Sequence, residues 1–82
     1  MIIRADGFTI TAPLYDYAAN KLNKLTKFGA DDIRCLLKID NRDNVVELRT
    51  NGKFLKVKGT DMYNTVAKAV DSMQCVLSNA KC

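Results

Sequence analysis

Asn51-Gly52 is the tightest constraint in this chain of 82 residues. The dipeptide separates two runs, VVELRT and KFLKVKG, in which apolar and polar residues alternate. Both central positions of a type I′ turn need positive φ, which Asn and Gly reach at little cost. A two-residue turn leaves no slack, so it fixes the register of the strands that it joins. Val46 then faces Val57 and Leu48 faces Leu55 on one side, while Glu47 faces Lys56 and Arg49 faces Phe54 on the other. Apolar side chains meet and a carboxylate meets an ammonium, so this register supports itself.

The elements around the hairpin follow from the same kind of reading. IRCLLKID alternates, with Ile33, Cys35, Leu37 and Ile39 on one face and Arg34, Leu36, Lys38 and Asp40 on the other, as in a half-buried strand. NRDN after it is a polar turn. Ile2–Ala5 reads as a short first strand. Thr11 as N-cap and Pro13 in the first turn start a helix that runs to Phe28, where Gly29 can end it in the left-handed conformation. Its apolar stripe is Leu14, Ala18, Leu22, Leu25 and Phe28. Thr60 or Asp61 caps a second helix, with a stripe of Tyr63, Val66, Ala67, Val70, Met73, Leu77 and Ala80. The order is β-α-β-β-β-α. A sheet with one apolar face needs a cover, and two amphipathic helices supply it. The expected fold is therefore an α+β two-layer sandwich, a four-stranded, mainly antiparallel sheet with both helices on one face, built as a single domain over residues 1–82. The far sheet face would carry Arg34, Lys38, Arg49, Phe54, Lys56 and Lys58 and stay wet.

The chemistry that is missing narrows function. There is no histidine, so the commonest general base and metal ligand is absent. Three scattered cysteines do not make a cysteine-only zinc site, and no base stands near any of them in sequence. No glycine-rich phosphate loop is present. Asp31-Asp32 and the Asp40/Asp43 turn read as caps and turn formers. The expectation is a binding protein rather than an enzyme, with no cofactor, no metal and no small-molecule substrate. Cys35 falls on the core face and reads as a small buried hydrophobe. On one continuous helix the Cα atoms of Cys75 and Cys82 would lie roughly 10 Å apart, beyond the ~7 Å reach of a disulfide, so reduced thiols are expected. With no signal peptide and no long apolar run, the chain is expected to be cytoplasmic and free of membranes.

With 13 Lys/Arg against 9 Asp/Glu, the net charge of +4 leans towards polyanionic partners. Lys21, Lys24 and Lys27 each step about 60° around the first helix, and Asp16 is the one acid on it. A solvated face usually mixes signs to form i,i+4 pairs. The strip therefore reads either as a wet face or as a grip on phosphates, which would carry no sequence readout of its own.

The element order, the first-helix segment AANKLNKLTKF and the second-helix start GTDMYNTVAKAV together resemble the ribosome hibernation promoting factors, also called ribosome-associated inhibitors or ribosomal subunit interface proteins. The Asp61-Met62-Tyr63 trio is the most specific piece, and the resemblance runs from Ile2 to about Leu77. It implies a partner, the small ribosomal subunit and its rRNA, bound in the channel of mRNA and the A- and P-site tRNAs. It implies inhibition of translation and protection of idle ribosomes under stress by a protein that is monomeric off the ribosome. By position it makes Lys21, Lys24, Lys27, Lys68 and Lys81 the rRNA-binding residues, with Asp61 a cap and Tyr63 a packing residue. Ser72, Cys75 and Asn79 stand where such proteins often carry Lys or Arg. Two other readings stay open: a general RNA-binding module resembling a double-stranded RNA-binding domain, and a protein-interaction domain using Phe54 and Leu36 on the open sheet face.

Overall fold

A computed structural model describes residues 1–78. Six elements follow one another: β1 (Ile2–Asp6), α1 (Ala12–Thr26), β2 (Arg34–Asp40), β3 (Asp43–Thr50), β4 (Lys53–Gly59) and α2 (Met62–Ser78). The strands form one sheet in the order β1-β2-β3-β4. It is mixed: β1 runs parallel to β2, with α1 as the crossover, and the other two pairings are antiparallel. The β3–β4 register is the one that the Asn51-Gly52 turn demands, with Val46 opposite Val57, Leu48 opposite Leu55, Glu47 opposite Lys56 and Arg49 opposite Phe54. NRDN is an equally tight turn. Asn41 and Arg42 stand at φ 49° and 70° between the paired Asp40 and Asp43.

The core lies between the sheet and both helices. Leu14, Ala18, Leu22 and Leu25 of α1 pack with Val66, Ala69, Val70 and Met73 of α2 over Cys35, Leu37, Val46 and Leu48. The Thr11 hydroxyl accepts the Leu14 N–H at 3.4 Å, and Pro13 sits in the first turn as expected. At the other end the Gly29 N–H donates to Thr26 O and the Ala30 N–H to Leu25 O, with Gly29 at φ 83°: a Schellman close.

Three sequence expectations about burial fail, two at the end of an element and one in where the α2 stripe is centred. Phe28 is exposed, because α1 ends at Thr26 and its last turn tightens to i→i+3 bonds that swing Phe28 off the stripe. Ile39 has core-face parity but is exposed, one residue from the β2–β3 turn, where the apolar cover ends. In α2 the buried stripe is Met62, Thr65, Val66, Ala69, Val70 and Met73, so Tyr63 and Ala67 lie beside it and not in it. Thr65 tolerates burial because its hydroxyl donates to Asp61 O at 2.6 Å. Asp61 caps α2, accepting the Tyr63 N–H at 3.3 Å. Cys35 is a free, buried thiol. Cys75 is disulfide-bonded, against the expectation of a reduced thiol. Cys82 and Ala80, the other residues that these expectations name, lie outside the described residues.

Candidate nucleic-acid interface

The three lysines of the strip do not share one environment: Lys21 and Lys24 are on α1, and Lys27 is its C-cap, one residue past the helix. Lys21 is half-buried, and its ammonium lies 5.5 Å from the centroid of the Tyr17 ring, one helical turn earlier. The Tyr17 ring meets the Tyr63 ring of α2 edge-on, with centroids 4.9 Å apart and planes at 71°. The α2 residue that sequence periodicity places in the core is thus a strut between the helices, and it stands under the cation–π contact that seats Lys21. Lys24 and Lys27 are exposed, and Lys24 occupies the last turn, where the helix dipole favours a cation. The strip therefore starts at the seam between the helices and climbs outward towards the C-terminal end of α1.

Among the described residues the ion pairs are Arg34–Asp32 and Lys38–Glu47. Lys21, Lys24, Lys27 and Lys68 accordingly have no carboxylate of the described residues within ion-pairing distance. Lys68 is exposed on α2 but stands five residues past Tyr63, about 140° round the helix, so it points away from α1. The described structure groups Lys21, Lys24 and Lys27 and leaves Lys68 apart; Lys81 lies outside the described residues. The Tyr17–Tyr63 strut was not among the expected site residues. Its one sequence signal is the i,i+4 spacing of Tyr17 and Lys21.

The opposite side of the sheet is also basic. Lys38 Nζ lies 2.9 Å from Glu47 Oε2, a buried oxygen, and this hydrogen bond and charge hold the lysine's pKa above its ordinary value. Val45 is buried on that face, beneath its cross-strand neighbours Lys38 and Lys58.

The family profile described as sigma 54 modulation protein / S30EA ribosomal protein matches residues 1–81. The chain belongs to this family. Two solved structures share the fold of this S30EA-family chain. The N-terminal domain of Thermus thermophilus Protein Y is 20% identical with a TM-score of 0.74, over 95% of this chain and 93% of that one. A ribosomal subunit interface protein from Coxiella burnetii is 21% identical with a TM-score of 0.79, over 96% of each chain. A search of curated protein sequences finds no match. The S30EA-family chain is thus a member of a ribosome-associated modulation family, and among its described residues no helix is long and apolar enough to cross a membrane.

Proposed function

We propose that the protein is a ribosome hibernation factor that binds the small subunit in the decoding channel. It would fill the space of mRNA and tRNA, inhibit translation and preserve idle ribosomes in the cytoplasm. The observation that carries this reading is the α1 strip: Lys21, Lys24 and Lys27 without a carboxylate partner among the described residues, in a chain of the S30EA family. Chemically the strip can do one thing well. Ammonium groups that replace condensed counterions on rRNA phosphates gain affinity from the released ions. Such contacts position the protein without reading sequence, which suits a factor that recognises the shape of a site. Inhibition then needs no catalysis, only occupancy. Lys68 contributes a more distant contact from α2, and Lys81 is assigned to the same role by the family resemblance alone.

The test is co-sedimentation with purified small subunits at low and at moderate salt. The protein is expected to pellet with the subunits at low salt and to be released as salt rises. Lys24→Glu with Lys27→Glu is expected to weaken binding at least about tenfold while leaving the circular dichroism spectrum unchanged, since both side chains are exposed. No co-sedimentation at low salt would overturn the reading. Unchanged affinity in the double variant would move the site off α1.

A further inference from the structure

The registers place four rows across the sheet face that the helices leave open. Next to the β3–β4 turn the row is Ile2, Arg34, Arg49 and Phe54; the next is Arg4, Leu36, Glu47 and Lys56; the third is Asp6, Lys38, Val45 and Lys58; and Asp40 with Asp43 closes the far end. The acids thus gather at one end. At the other, Glu47 is the one carboxylate within the rows and Lys38 already holds it, while Asp32, just before β2, makes an exposed 3.6 Å ion pair with Arg34. The cations at that end are Arg4, Arg34, Arg49 and Lys56, with an aromatic ring at its β4 edge. Phe54 is 53% exposed, the Arg49 guanidinium carbon lies 5.4 Å from its ring centroid, and Leu36 is half-buried beside them. Arg34, Leu36, Glu47, Arg49 and Phe54 line a shallow hollow of about 170 Å³.

Edge protection does not account for this pattern. Charged residues on an edge strand prevent sheet-to-sheet pairing, but Arg34 and Arg49 sit on the two central strands, while the exposed aromatic sits on the edge strand β4. A flat ring and a planar guanidinium side by side, with Arg34 further along the row and Lys56 in the next one, match what an unpaired polynucleotide offers: bases to stack and phosphates at regular intervals. A duplex hides its base faces and could use only the charges.

We propose that this face binds single-stranded RNA, stacking a base on Phe54 and holding the flanking phosphates with Arg34, Arg49 and Lys56. The face is on the opposite layer from the α1 strip, and the inference stands whether or not the strip binds the small subunit.

The experiment is fluorescence anisotropy of the full chain with a labelled single-stranded RNA of mixed sequence, competed by the same sequence as a duplex. Saturable single-strand binding that the duplex competes poorly is expected. Phe54→Leu, which keeps an apolar side chain on an exposed strand position, is expected to weaken binding about tenfold without changing its salt dependence. Arg34→Gln with Arg49→Gln is expected to weaken it and to flatten the salt dependence by about 0.7 per lost contact. Lys24→Gln with Lys27→Gln is expected to leave the Phe54→Leu effect intact. No single-strand binding at low salt, equal binding of the duplex, or binding indifferent to Phe54→Leu would each overturn the proposal. Loss of subunit association in Phe54→Leu, with no binding of free RNA by the native chain, would assign the face to a protein surface and overturn it as well.

Discussion

Cys35 shows how its strand position decides a side chain's chemistry. Its place on the core face of β2 leaves the thiol almost without solvent, and burial pushes its pKa up to about 12. The thiolate is the reactive form, so native Cys35 should resist iodoacetamide at mildly alkaline pH and react once urea unfolds the chain. Mass spectrometry of the peptide that carries it reads the difference; rapid native labelling would contradict the burial. The same shift has a sign for stability. Between pH of about 9 and about 12 the unfolded chain gives up this proton and the folded one keeps it, so stability falls as pH rises through that window. Cys35→Ala should lack that part of the alkaline slope. Gly59 is constrained by space instead. A Cβ there would run into the Thr65 hydroxyl, which is buried and committed to Asp61 O. Gly59→Ala should cost about 1–3 kcal/mol in urea unfolding. Adding Thr65→Ala should cost less than the sum of the two single changes, because it removes the clash. Strict additivity would mean that the clash is not the cause.

At the scale of elements, the β3–β4 turn is tied to its surroundings as well as shaped. Asn51 stands at φ 54°, its amide donates to Gly29 O at 2.9 Å, and its Oδ1 accepts the Asp31 N–H at 2.9 Å. The Thr50 hydroxyl adds a bond to Asp31 O at 2.6 Å. One side chain thus clasps the α1–β2 loop to the hairpin. Two substitutions separate its roles. Asn51→Gly keeps the positive φ and loses the clasp, which should cost about 1 kcal/mol. Asn51→Ala loses both and should cost about 1–2 kcal/mol more. Chemical denaturation that ranks the two in the opposite order would show that φ is not limiting here. The contrast also marks what the sequence discloses. The turn and the strand faces were legible because they depend on φ preference and a period of two, both local. The clasp joins residues about twenty apart in the chain, and nothing in either segment announces it. Phe28, Ile39 and Tyr63 were misplaced for a related reason. Periodicity says which residues share a face, but how far the apolar cover extends is settled by the neighbouring elements. At the candidate site the lysine spacing was plain, whereas the Tyr17–Tyr63 strut beneath Lys21 needed the packing of α1 on α2.

For the whole molecule, charge and architecture have to be read together. The net charge of +4 is modest, and a field of that size alone gives diffuse attraction to any polyanion. Partition into two layers is what turns it into surfaces: the α1 strip on the helical side, and the Arg-rich end of the sheet on the other. Localised and diffuse binding differ in a measurable way. Each phosphate contact contributes about 0.7–0.9 to the slope of log affinity against log salt. If the strip docks on rRNA, Lys24→Gln with Lys27→Gln should flatten the slope for the small subunit by about 1.5. Arg42→Gln with Lys53→Gln removes the same charge from exposed positions at the β2–β3 and β3–β4 turns, at opposite ends of β3. That pair should leave the slope within error of the native chain. Equal flattening by both pairs would mean that the ribosome senses only the overall charge, and Lys24 and Lys27 would then have no special place in the interface.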